Sequence, residues 1–215
     1  AGHHAAPEAF AKIADNLTNT LALRVIGKLG PAWRMDAMVH IDGSPWQVSG
    51  EDIGSEARRM MSSHGTILAY MGHSDPAAAY SKTTALLAGS GWKALPAGGP
   101  RPGLFFTCGC NSCELSPGVE SFGFAAVRAP GGPPAVIGSH GITWAAMGYL
   151  AMAGLIDRIA AEPSGARLGT LWLGVQDGLR KGGISATEFA MLDLADGTQG
   201  QVPLEEQRLE HLESW

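Results

Sequence analysis

Three thiols, Cys108, Cys110 and Cys113, fall within one stretch of six residues, and the chain carries 7 histidines. A cysteine beside an imidazole can attack a carbonyl carbon, because the base takes the thiol proton and the thiolate is the nucleophile. A free thiol titrates near about 8.5, so at neutral pH it needs such a base, or a field that favours the anion. The same residues admit two other readings. Cys108, Cys110 and Cys113 with His73 or His140 would supply four ligands suited to zinc, and a buried free cysteine can be simply a small hydrophobe. Thiols this close in sequence cannot staple distant parts of a fold, so a disulfide framework is excluded.

Four short apolar runs bounded by turn residues predict buried parallel strands: residues 35–41, 66–71, 104–107 and 134–139. Helices are predicted between them at 48–62, 77–88 and 121–129. This alternation is that of an α/β fold with a doubly wound, mostly parallel sheet. Further helices are expected at 7–21, 144–159, 167–180 and 204–215, the third of the chain after residue 144 being helical throughout. The Gly- and Pro-rich stretch 89–103 reads as a surface excursion that packs as neither helix nor strand. At 215 residues with 45% apolar side chains, one domain spanning 1–215 is the expected organisation.

In open α/β sheets ligands bind beyond the carboxyl ends of the strands, where loops converge. That rule separates the candidates. His73 follows the strand at 66–71, whereas His64 precedes it. Cys110 follows the strand at 104–107, and Ser139 and His140 close the one at 134–139. A helix starting after Cys110 would direct amides at the thiolate. Cys108, nearer its strand, is expected in the core, and Cys113 is expected to pack or to pair reversibly with Cys110. Asp42, at another carboxyl end, is the candidate acid for orienting His73, with an exposed turn aspartate as its plain alternative. Asp75 either faces a pocket or caps a helix beginning near Pro76.

The run Thr66-Ile67-Leu68-Ala69-Tyr70-Met71-Gly72-His73-Ser74 resembles the strand-then-Gly-His motif of gingipain-type cysteine peptidases, whose fold is caspase-like. Leu104-Phe105-Phe106-Thr107-Cys108-Gly109-Cys110-Asn111 resembles their strand-then-cysteine motif. Residues 122–144, with Ala135-Val136-Ile137-Gly138-Ser139 inside them, are similar to the helix and strand beyond the nucleophile. The likeness covers roughly residues 48–180 and implies a caspase-like three-layer sandwich. It implies a cysteine endopeptidase working through a thioester, with Cys110 as nucleophile and His73 as proton shuttle. Gly72 and Gly109 flank the pair, and the amides of Ser74 and Cys110 would hold the oxyanion. Asp75, Ser139, His140 and Trp144 would line the specificity pocket. The family often has glycine where this chain has Ser74, and a Cβ there restricts the backbone.

The resemblance further implies a peptide or protein substrate, no required cofactor, a secreted or periplasmic location, and a pro-segment or cleaved companion chain. Before Met35 only residues 21–26 offer a first strand. A processed fragment, or a strand upstream of Ala1, is expected on that ground.

Other partners are set aside by composition. With 15 basic against 20 acidic residues and no basic cluster, no nucleic acid is expected. The uncharged run 141–156 is shorter than the roughly 20 residues that cross a bilayer, so no membrane span is expected. The pocket candidates Asp42 and Asp75 are acidic while residues 62–81 and 130–156 contain no Lys or Arg, which predicts negative potential around the dyad and cleavage after Arg or Lys. The alternatives to a peptidase are a non-catalytic caspase-like binding module and a metal-thiolate protein.

Overall fold

Three of the four apolar runs form strands close to where the sequence places them. The computed structural model describes residues 7–37, 50–81, 84–162, 165–181 and 204–215. These group into two compact units, one built on residues 47–145 with 213–215, the other on 2–46 with 146–212.

The first unit holds a parallel sheet in the order β1 (Ile67–Met71), β4 (Leu104–Cys108), β5 (Val136–Gly138). Register runs Met71 opposite Cys108 and Thr107 opposite Gly138. Every residue of β4 is buried, as a central strand covered on both faces must be. On one face Phe105 meets Trp92 and Phe122 with ring centroids 5.2 and 6.1 Å apart. Ala57 and Met61 of α2 (Gly50–Met61) and Ala126 of α4 (Phe122–Arg128) complete that cluster. On the other face Phe106 stacks on Trp215 at 5.5 Å.

Two elements of this unit differ from the sequence reading. Within the helix expected at 77–88, residues 78–81 and 84–88 form instead the antiparallel strands β2 (Ala78–Ser81) and β3 (Thr84–Ala88). Alanine favours helices in isolation, but Ala79 and Leu87 gain more by facing the aromatic cluster, and tertiary packing overrides propensity. The Gly/Pro stretch opens with a short helix, α3 (Gly89–Lys93), which exists to bury Trp92 completely.

In the second unit α1 (Pro7–Leu29) ends at Gly30, whose φ of 91° and amide bond to the Ile26 carbonyl make it a left-handed helix stop. Residues 21–26, considered above as a first strand, are therefore helical. Leu21 and Val25, one turn apart, are buried, and Arg24 holds Asp157 through bonds of 3.0 and 2.6 Å. Of the strand expected at 35–41, residues 35–37 are irregular and the rest lies outside the described residues. Gly154 lets α5 (Ala145–Ala161) approach Val175 of α6 (Leu168–Arg180), where an added Cβ would meet a methyl at 3.3 Å. Arg208 of α7 (Leu204–Ser214) donates to the last carbonyls of α6, Leu179 and Arg180. Among the described residues no helix is long and apolar enough to cross a membrane.

Candidate active site

Because β1 and β4 are parallel neighbours, the residues after each emerge side by side. The ladder continues one step past the strands, where Gly72 N–H donates to the Cys108 carbonyl at 3.1 Å. His73-Ser74 and Gly109-Cys110 then lie on adjacent loops at the carboxyl edge, and β5 delivers Ser139-His140-Gly141 to the same edge.

The His73 loop is held by its main chain. The Tyr70 phenol lies 2.6 Å from the His73 carbonyl and 3.1 Å from that of Tyr80, and Tyr80 N–H donates to the His73 carbonyl at 2.9 Å. A Cβ on Gly72 would come 2.7 Å from the phenol oxygen, so the strand-end glycine is a steric requirement. Burial raises the Tyr70 phenol well above its ordinary range, and the neighbouring thiols of Cys108 and Cys110 act in the same direction. The His73 side chain is exposed.

Asp75 caps a turn rather than a helix. Its carboxylate accepts from Ala77 N–H at 2.8 Å and Ala78 N–H at 3.1 Å, an Asx turn that sends the chain into β2.

Ser74 joins the two loops: its hydroxyl donates to the Cys110 carbonyl at 2.7 Å. Gly109 is what permits this, since a Cβ there would overlap the Ser74 hydroxyl. Among the described residues, no backbone carbonyl accepts from the Ser74 or Cys110 amide.

After Cys110 the chain makes a turn rather than the expected helix; Ser112 N–H reaches the Gly109 carbonyl at 3.3 Å, and the next helix waits until Phe122. Asn111 sits at φ 56°, a left-handed conformation that asparagine tolerates, and its amide donates to Gly141 at 2.9 Å.

The three thiols, none of them in a disulfide, point to different neighbours. Cys108, 2% exposed, donates to the Trp144 carbonyl at 3.5 Å, the core position expected of it. Cys110 is half-buried against Thr143. Cys113 packs where Gly123 and Gly138 lack a Cβ, and burial pushes its thiol up to about 12. Among the described residues no group of three or more His, Cys, Asp or Glu is placed to hold a metal ion.

The remaining candidates divide by burial. Ser139 is fully buried, its hydroxyl bonded to Gly141 at 2.7 Å and near Gly109 at 3.3 Å, while Cys113 N–H donates to its carbonyl at 2.7 Å. These bonds make it a brace of the loops, not a pocket wall. His140 is exposed, its amide on the Ser214 carbonyl at 3.0 Å, and Trp144 is half-buried. Asp42 lies outside the described residues. Tyr70, Asn111, Ser112 and Thr143 escaped the sequence reading. Only Tyr70 left a sign there, as a polar-tipped residue in an apolar strand next to Gly-His.

This α/β arrangement, a parallel sheet with its candidate residues at the carboxyl edge, is the caspase-like fold of the gingipains. One solved structure that it resembles is the Arg-specific cysteine proteinase gingipain R (RgpB), with a TM-score of 0.51 and 17% identity over 80% of this chain. Another is the complex of Porphyromonas gingivalis RgpB pro- and mature domains, at 0.50 and 16% over the same share. The chain spans 35% and 36% of those chains, about a third of their length. No protein-family model matches the sequence, and no curated protein matches it significantly.

Proposed function

We propose that this chain carries the catalytic dyad of a cysteine endopeptidase, with Cys110 as nucleophile and His73 as its base. The observation behind this reading is the register of β1 on β4: it sets Gly72-His73 beside Gly109-Cys110, and Ser74 ties the two loops at 2.7 Å. In the proposed reaction the Cys110 proton passes to the His73 imidazole, and the sulfur attacks the scissile carbonyl. In this reading the amides of Ser74 and Cys110, donors on separate loops, receive the oxyanion. The protonated His73 gives its proton to the leaving amine, a thioester remains, and water activated by neutral His73 releases the acid.

The fold similarity to RgpB supports a peptidase scaffold, and the solved complex of RgpB pro- and mature domains makes a pro-segment part of the proposal. A peptide or protein substrate, a secreted location and independence of any cofactor belong to it too. Asp75 contributes to the proposal as the anchor of the His73 loop, because its carboxylate serves the turn.

The test is Cys110→Ala alongside labelling by a thiol-reactive peptide ketone. Turnover of a fluorogenic peptide library should fall by several orders of magnitude in the variant, and the label should map to Cys110. Residual activity within about tenfold of the parent chain would refute the assignment.

A further inference from the structure

Among the described residues, the Cys110 sulfur makes its polar contacts with one residue. Thr143 N–H donates to it at 3.4 Å, the Thr143 carbonyl lies 3.7 Å away as acceptor for the S–H, and the Thr143 hydroxyl lies at 3.9 Å. Thr143 is itself pinned on both sides. Two residues before it, the Gly141 carbonyl accepts from Asn111 N–H and from the Ser139 hydroxyl. One residue after it, the Trp144 carbonyl accepts from Cys108. The stretch beyond β5 is thus bonded back onto the stretch beyond β4, and the Thr143 peptide group cannot drift from the sulfur without breaking those bonds.

A main chain so placed, with the N–H and C=O of one residue both at the sulfur, serves both protonation states of the thiol. We propose that the Thr143 main chain is the thiolate-holding group of this site, its carbonyl taking the S–H in the resting thiol and its N–H bonding the sulfur anion. This deepens the reading of Cys110 as nucleophile and rests on it. When the S–H bond breaks, the proton leaves to His73 and the electron pair stays on sulfur, where it strengthens the bond from Thr143 N–H. No helix begins after Cys110, so this amide stands in the role that a helix start would have played. A hydrogen bond to a charged group favours the anion by a factor of about ten or more.

The Thr143 side chain is dispensable to this role, which gives the experiment its control. Thr143→Pro removes the N–H, replacing the Thr143 amide by an ester removes it without the proline ring, and Thr143→Ala keeps it. The readout is the rate at which iodoacetamide alkylates Cys110, located by mass spectrometry, as a function of pH. At neutral pH the proline and ester forms should react about tenfold more slowly than the parent, and Thr143→Ala within about twofold of it. In alkaline solution, with the thiol ionised in every form, the rates should converge. Tyr70, the titratable neighbour of Cys108 and Cys110, keeps its proton well into that range because burial holds it neutral. An ester form that follows the parent at every pH overturns the proposal, as does one that is slower by one factor at every pH, which would mark a merely structural change. If Thr143→Pro fails to fold, the ester decides alone. Alkylation needs no peptide turnover: a shifted profile in a chain that cleaves nothing would keep the Thr143 role and defeat the peptidase reading instead.

Discussion

The Ser74 hydroxyl donates to the Cys110 carbonyl at 2.7 Å, joining two loops that lie 36 residues apart in sequence. The bond exists because Gly109 leaves the space that the Ser74 side chain fills. Gly109→Ala should therefore drive its new methyl into Ser74 and cost about 1–3 kcal/mol of stability, the usual penalty of overpacking. Ser74→Gly in the same chain should recover much of that loss. A double-mutant cycle by urea denaturation checks it, and additive effects would show that the two residues are independent.

Tyr70 fixes the His73 carbonyl from below. Tyr70→Phe keeps the ring and deletes the 2.6 Å bond, so stability should fall by about 1 kcal/mol, the ordinary worth of a neutral hydrogen bond. A looser His73 loop should lower kcat by about tenfold in the proposed peptidase while KM stays within about twofold, since small displacements of a catalytic group are costly. Steady-state kinetics with denaturation curves on the same preparations separate the two effects. An unchanged kcat with lowered stability would leave Tyr70 a core residue only.

What the sequence made legible was the part that rests on one strong pattern. The run 104–108 is buried throughout, and the apolar runs 67–71 and 136–138, partly buried, pair on either side of it; strand ends mark a site edge in parallel sheets. That is why, of 7 histidines and three thiols, His73 and Cys110 stood out as candidates at that edge. The pairing of β2 with β3 was illegible because their alanines favour a helix and are turned into strands by packing in the cluster of Phe105 and Phe122, distant in sequence. Thr143 was hidden for another reason: it meets Cys110 through its peptide group, and a main-chain contact leaves no trace in residue type.

Cys108 and Cys113 should behave as packing residues, unlike Cys110. Cys108→Ala removes a 2% exposed sulfur beside Trp144 and should cost about 1–2 kcal/mol while activity stays near that of the parent. Cys113 should resist alkylation at neutral pH, because its thiol is held up to about 12 by burial. Mass-spectrometric mapping at low excess of iodoacetamide should find the label on Cys110 alone. Loss of activity in Cys108→Ala would move the nucleophile two residues upstream.

His211 should make stability depend on pH in a window of its own. The side chain is 0% exposed, and loss of hydration lowers its imidazole to about 4 from the ordinary 6.5. Between those values the unfolded chain binds a proton that the folded chain refuses, so stability rises with pH there. The contribution is fully present above about 6.5 and is lost as pH falls toward 4, amounting to up to about 3 kcal/mol over that span. Asp157 acts lower down. Its hydrogen bond from Arg24 lowers its carboxyl below the ordinary 3.8, so its contribution is present above that value and disappears only in stronger acid. Urea denaturation of the parent and of His211→Leu at intervals from pH 7 to pH 4 distinguishes the two groups. The parent should weaken steadily below pH 6.5 while the variant, with no imidazole to charge, should hold its stability down to about pH 4. Parallel curves for the two chains would mean that the acid sensitivity of this fold lies elsewhere.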